Sequence, residues 1–171
     1  MIATPPPVQA EVISVSALLF MPHEGKQPFA RPSGPFQAVC ADTRGYAWLC
    51  TDRVRVTTVR CRPQGTVSQG MCPTPLVQEY FPESVPNTII LTQGLNGEPL
   101  RFPLHIWYCP TALQRGAPVN RAIYRITSGT APKPWCGPVV VLKFNGSRRQ
   151  GYSDAGTNDL PALSAYFLAY N

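Results

Sequence analysis

Arginine-rich segments are the part of this sequence whose side chains most directly suggest a binding chemistry. The chain of 171 residues carries a formal net charge of +6, and 12 of its 15 basic residues are arginine. A guanidinium group can pair with phosphate or carboxylate through two parallel hydrogen bonds. The clustered arginines, and a tyrosine close behind the second cluster, are Arg53, Arg55, Arg60, Arg62, Arg148, Arg149 and Tyr152. These residues predict contacts with a nucleic-acid backbone, the alternative being a solvated face paired with Asp42, Asp52 or Glu98.

The segment around residues 53–62 leaves two arrangements of its arginines open. Arg53 and Arg55 alternate with valines, but Arg60 and Arg62 fall on the opposite parity, so the pattern changes phase near Thr57. A β-bulge at that point would place all four arginines on one side of the strand. An unbroken strand would divide them into two pairs on opposite faces.

A second candidate surface lies on the segment "PLRFPLHIWYC". Its apolar residues alternate with Arg101, Pro103, His105 and Trp107. Proline cannot donate a hydrogen bond to a neighbouring strand, so it predicts an edge strand or a bulge. An exposed edge that presents Arg101, His105 and Trp107 would suit a partner, whereas a covering layer would make Trp107 part of the core.

Cysteine chemistry is suggested by "WCGP", residues 135–138. This tetrapeptide resembles the start of the thioredoxin active-site motif, which implies a nucleophilic Cys136 at the start of a helix. The resolving cysteine of that motif is replaced by Val139, and Val139 begins an apolar run with strand composition. The favoured interpretation is therefore a loop entering a strand, with Trp135 packing as a lid and Cys136 as a small apolar residue.

The remaining cysteines and histidines do not form a familiar catalytic or metal motif. The six cysteines lack the C-x₂₋₄-C pairs of zinc sites, and no hydrolase or phosphate-loop motif occurs. We therefore predict no metal and no cofactor, although a thiol-based redox or hydrolytic enzyme remains a third hypothesis. A dyad between His105 and either Cys109 or Cys136 is the specific form it would take.

The elements that must position these residues are mostly strands. Alternation or apolar runs predict strands in residues 11–19, 51–62, 87–92, 99–109, 122–127 and 137–144, and a hairpin over residues 36–52. Residues 1–9 are predicted to be a flexible Pro-rich lead, and residues 21–35 a long loop. A helix is predicted over residues 158–170, with Asn158 or Asp159 as its cap and Pro161 in its first turn.

Together these elements predict one domain over residues 1–171, mainly β and bordering on α+β. The strands would form an antiparallel sandwich or a single twisted sheet, with the C-terminal helix packed on it. The N-terminal sequence has neither a signal peptide pattern nor a membrane span, so we expect a cytoplasmic or nuclear protein with free cysteines. Its expected role is to bind nucleic acid or an acidic protein, the alternative being protein interaction or self-assembly through an edge strand. The sequence leaves the oligomeric state open.

Overall fold

A single curled antiparallel sheet forms the framework of the protein. The computed structural model describes residues 12–22, 54–62, 73–82, 84–94 and 96–170. The strands in these ranges are β1 (Ile13–Phe20), β2 (Arg55–Arg62), β3 (Thr74–Pro75), β4 (Asn87–Gln93), β5 (Pro99–Tyr108), β6 (Val139–Phe144) and β7 (Tyr152–Ser153). Their order is β3-β2-β1-β6-β5-β4, and β7 pairs with the end of β6. The predicted mainly β fold is confirmed, in its single-sheet form.

Strand β6 lies in the middle of the sheet, and its sequence explains why. Val139, Val140, Val141 and Leu142 are all fully buried. A strand that is apolar on both faces must be covered on both faces. Strands β1 and β5 accordingly flank β6, and packing layers lie above and below it.

The predicted C-terminal helix is confirmed as α2 (Leu160–Ala169), which follows a 3₁₀ turn at Thr157–Asp159. Asp159 precedes its first turn, and Pro161 occupies a position where a missing N–H leaves no helical hydrogen bond unmade. Phe167 packs edge-on against Phe20 of β1, with ring centroids 5.8 Å apart. This contact docks α2 on one face of the sheet.

The prediction of a strand over residues 122–127 is wrong, because Arg121–Ile126 forms helix α1. Its β-branched and aromatic residues favour a strand by composition. However, the Asn120 side chain accepts a hydrogen bond from the Ile123 backbone N–H at 3.2 Å, which caps a helix start. Ala122 and Ile123 are then buried against the sheet beside α2.

The interior is divided between the two faces of the sheet. The face covered by α1 and α2 holds Leu18, Phe20, Ile106, Trp135 and Phe167, among others. The opposite face is covered by the chain segments around Phe81 and Ala112, and it includes Cys61, Cys109 and Cys136.

Several predictions fall outside the described residues. They concern the lead at residues 1–9, most of the loop at residues 21–35 and the hairpin at residues 36–52. Arg53, Cys40, Cys50 and Cys72 also lie outside the described residues. None of the helices within the described ranges is long and apolar enough to cross a membrane.

Candidate binding site

The arginines of β2 are divided between two ends and two faces of one unbroken strand. The pairing of β1 with β2 runs without interruption from Ile13 opposite Cys61 to Leu19 opposite Arg55. Of the two predicted arrangements, the bulge at Thr57 is therefore not formed. Arg60 and Arg62 are exposed on the face opposite Val59 and Cys61. Seven residues separate Arg55 from Arg62, a distance of roughly 23 Å along a strand.

The turn between β6 and β7 carries the second arginine pair. Arg148 and Arg149 lie in an exposed 3₁₀ turn, Arg148–Gln150, and this turn is closed by a hydrogen bond from the Asn145 N–H to the Gly151 carbonyl at 2.9 Å. Gly151 has φ 77°, a conformation that favours glycine. A Cβ on Gly151 would lie 3.4 Å from Pro73, so the turn packs closely beside the start of β3.

This packing brings the two arginine pairs to the same end of the sheet. Arg62 lies opposite Thr74, the residue that follows Pro73, and Arg60 lies opposite Ser14 of β1. The Ala155 N–H donates to the Ser16 carbonyl at 2.9 Å, which holds the segment after β7 against that end of β1. Residues far apart in sequence thus converge, and Arg55 remains at the other end.

Arg101 of β5 belongs to the same end. Leu104 lies opposite Lys143 at the end of β6, and Arg101 lies three residues beyond Leu104 in the direction of the β6–β7 turn. We call Arg60, Arg62, Arg101, Arg148 and Arg149 the basic end. The guanidinium of Arg101 lies over the Phe102 ring, 5.1 Å from its centroid, in the geometry of a cation–π contact.

Two acidic residues near the basic end, Asp154 and Asp159, have partners within the fold. The Lys143 ammonium donates to Asp159 at 3.1 Å. The Ser16 N–H donates to Asp154 at 2.7 Å, and this hydrogen bond lowers the pKa of the Asp154 carboxyl. Both carboxylates are thus used within the fold, and the arginines leave a positive excess at this end.

The predicted surface of Arg101, His105 and Trp107 is not formed, because β5 is not an edge strand. It lies between β4 and β6, and His105 is only 7% exposed. Pro103 lies instead at an irregularity of the sheet, the other alternative that the sequence predicted. The pairing of β4 with β5 shifts register between Leu91 and Gln93, and this is the part of β4 that faces Pro103. Alternation correctly placed these side chains on one face, but it carries no information about the layer that covers that face.

His105 instead helps to hold Tyr152. Its Nδ1 lies 2.7 Å from the Tyr152 hydroxyl, and its ring stacks on Phe144 with centroids 5.2 Å apart. Phe144 stacks in turn on Tyr152 at 4.9 Å. Burial, together with the positive charge of Arg148, lowers the pKa of His105 to about 4. A neutral His105 therefore fixes a half-buried tyrosine next to the arginine turn at neutral pH.

The WCGP segment is a loop that enters a strand, as predicted. Cys136 is buried, pairs with Val119 through an isolated β-bridge, and is followed by β6 instead of a helix. Burial raises the pKa of the Cys136 thiol. The thioredoxin-like activation of this cysteine is therefore absent.

Cys109, which the sequence suggested only as a partner of His105, is the more acidic of the two thiols. It lines a cavity of about 280 Å³ whose walls include Tyr80, Phe81, Ser84 and Arg115. Burial, the largest contribution, acts to raise its pKa, but hydrogen bonds from Thr111 and Ser84 and the charge of Arg115 outweigh it and lower the pKa. The Thr111 Oγ1 lies 3.4 Å from the sulfur.

The structure does not support the predicted Cys109–His105 dyad. Four residues of extended chain separate the two, which is roughly 13 Å. The His105 Nδ1 is also engaged by Tyr152. Cys61, Cys109 and Cys136 are free thiols, and no group of three or more metal-ligating side chains comes together within the described residues.

A buried asparagine, which sequence reasoning missed, holds the WCGP loop in place. Asn120 is 1% exposed, and its side-chain amide donates to the carbonyls of Phe20 and Gly137 at 3.0 and 2.8 Å. Its backbone N–H donates to the Trp135 carbonyl at 2.7 Å. An asparagine before a helix predicts only a helix cap. Nothing in the sequence indicated the hydrogen bonds from Asn120 to the carbonyls of Phe20 and Gly137.

Comparison with known proteins identifies no relative of this chain. No family model, curated protein or solved structure matches the chain.

Proposed function

We propose that the protein binds a polyanion, with nucleic acid as the leading partner, through the basic end. The observation that carries this proposal is that Arg60 and Arg62 lie at the same end of the sheet as Arg148 and Arg149. One pair lies on β2 and the other in the β6–β7 turn, and the close approach of Gly151 to Pro73 places that turn beside β3, the neighbour of β2. Binding, and not catalysis, is the role that this arrangement supports.

The geometry suits a backbone more than a small anion. Arg60 and Arg62 are two residues apart on one strand, which spaces their Cα atoms by roughly 7 Å. Phosphates repeat at intervals of similar size along an extended single strand, and Arg148 and Arg149 add positive charge at the same end of the sheet. Phosphate contacts of this kind position a nucleic acid without reading its sequence. We therefore expect weak dependence on base sequence.

Tyr152 is the aromatic residue best placed to add a base contact. It is half-buried, directly follows the arginine turn, and is held by His105 and Phe144. Stacking on an aromatic ring contributes about 1–3 kcal/mol per base and tolerates all bases. This arrangement favours single-stranded over double-stranded nucleic acid.

The test is fluorescence anisotropy with labelled single-stranded and duplex oligonucleotides at several salt concentrations. We expect log K to fall linearly with log salt, with a slope of roughly −0.7 per contacted phosphate on single strands and −0.9 on duplex. The double variant Arg60→Glu/Arg62→Glu should weaken binding and make the slope shallower by about 1.4 on single strands. Arg148→Glu/Arg149→Glu should act in the same way.

Arg55→Glu is the matched control, because it reverses a charge on the same strand at the other end. It should change binding much less than Arg62→Glu, which alters the net charge equally. Binding that does not respond to salt, or that responds equally to Arg55→Glu and Arg62→Glu, would contradict the proposal. Binding of a polyglutamate chain without binding of oligonucleotides would assign the same surface to an acidic protein.

A further inference from the structure

Strand β4 ends the sheet on one side within the described part of the chain. Its only strand neighbour there is β5, which leaves the backbone groups of its outer edge without a paired strand among these residues. Its sequence, Asn-Thr-Ile-Ile-Leu-Thr-Gln, contains no charged residue and no proline. Charged side chains and prolines are among the usual means by which edge strands resist pairing with another chain.

Exposed apolar side chains are concentrated at this edge. Ile90, in the middle of β4, is 40% exposed, and Phe102 of the adjacent β5 is 37% exposed. Val85, two residues before β4, is largely exposed. Pairing with β5 is regular from Asn87 to Leu91, so most of the strand presents a continuous backbone.

The sequence of β4 is complementary to itself in an antiparallel arrangement. A two-fold axis through Ile90 would place Ile90 opposite its own copy, and Ile89 opposite Leu91 on both sides. Towards the ends of the strand, threonine would lie opposite threonine, and Asn87 opposite Gln93. Apolar residues therefore meet apolar residues and polar residues meet polar residues, as cross-strand pairs prefer.

The charge distribution is compatible with this arrangement. Gln93 lies opposite Pro99, at the same end of the sheet as the basic end. Because the two copies of β4 would run antiparallel, their basic ends would point in opposite directions. Repulsion between two chains that each carry a charge of +6 is thereby kept small.

We infer that β4 is a homodimerisation edge, at which a second copy of this chain adds its own β4 to form a continuous antiparallel sheet. The occupant is a second copy because the strand is uncharged and self-complementary, whereas a charged peptide would find no complementary side chain on it. The resulting dimer would display one basic end at each extremity. This inference does not depend on whether the basic end binds nucleic acid.

The test uses the full chain in sedimentation-velocity and light-scattering measurements at concentrations up to about 1 mM. The wild type should shift from monomer to dimer as concentration rises. Ile90→Lys and Ile90→Glu should each remain monomeric, because like charges would face one another at the axis. An equimolar mixture of these two variants should form dimers again, since opposite charges then meet.

Val56→Lys is the matched control. Val56 is a β-branched residue on β2 that is 56% exposed, so the substitution adds the same charge to a strand of the same sheet outside β4. This variant should dimerise as the wild type does. Circular dichroism and thermal melting establish that each variant is folded.

Three results would overturn the inference. The first is a wild-type chain that remains monomeric throughout the concentration range, which would leave the edge to a different partner or to another part of the chain. The second is dimerisation that persists in both Ile90 variants. The third is a mixture of the two variants that stays monomeric while each is folded.

Discussion

Two cysteines that look alike in sequence differ in their chemistry because of their neighbours. Cys136 stands in the more suggestive motif, but burial raises its pKa. Cys109 has no motif around it, but Thr111, Ser84 and Arg115 together lower its pKa despite its burial. The missing second cysteine was enough to predict an inert Cys136. The setting of Cys109 depends on Ser84, 25 residues away in the sequence, and no local pattern could reveal that contact.

We therefore predict that Cys109 reacts several times faster with iodoacetamide than Cys136 at neutral pH, because the thiolate is the reacting species. Peptide mapping by mass spectrometry after timed quenching would measure both rates in the native protein. Thr111→Val should slow the reaction of Cys109 and leave that of Cys136 unchanged. A faster Cys136 would instead restore the nucleophile that the WCGP motif suggests.

At the level of elements, the strands were the easiest to predict and α1 the hardest. In β6 the continuous apolar run translates directly into burial on both faces, and in β5 alternation assigned the side chains to their faces but did not reveal that both faces are covered. Residues 121–126 have the composition of a strand, and only the cap at Asn120 indicates a helix. The same side chain also donates to carbonyls of the β1 end and the WCGP loop, which no helix rule anticipates.

Asn120→Ala is expected to destabilise the protein by about 3 kcal/mol, because the substitution removes the cap of α1 and leaves two buried carbonyls without a donor. Asn120→Asp keeps the capping oxygen but loses the amide donors, so it should be nearly as damaging. Urea denaturation would measure both effects.

Asn158→Ala is the control for this prediction, since Asn158 is an exposed residue in the turn before α2. It should change the free energy of unfolding by less than about 0.5 kcal/mol. Equal effects at Asn120 and Asn158 would mean that the buried hydrogen bonds contribute nothing specific.

For the whole molecule, pH should act on stability through His105. Its pKa is about 4 in the folded protein and about 6.5 when unfolded, so the unfolded chain binds the extra proton between these values. The contribution of His105 to the free energy of unfolding is therefore fully present above pH 6.5, and it is lost progressively as the pH falls towards 4. The pKa difference corresponds to about 3 kcal/mol in total.

His105→Gln should remove this part of the pH dependence. Urea denaturation would measure the stability of the variant and of the wild type at several pH values between about 7 and 4. The difference between the two curves isolates the effect of His105, because the carboxylates that also titrate in this range are the same in both proteins. The wild type should lose more stability than the variant over this interval. Parallel curves would mean that folding does not shift the pKa of His105.

The general architecture, a sheet with one terminal helix, could be predicted because it depends on patterns within single segments. The grouping of the arginines could not, because it depends on how segments pack. The phase change in β2 left two arrangements open, and the register with β1 selects the unbroken strand. The close approach of Gly151 to Pro73, which places the β6–β7 turn beside β3, has no signal in either segment alone.

The separation of the interior into two layers has a spectroscopic consequence. Trp135 lies under the helices on one face of the sheet, and Trp107 packs with the core on the other face. Each layer thus contains its own fluorophore. In a chain whose third tryptophan, Trp48, is replaced, variants that retain only Trp107 or only Trp135 would report on the two layers separately. Their fluorescence would show whether the two layers unfold together or one after the other.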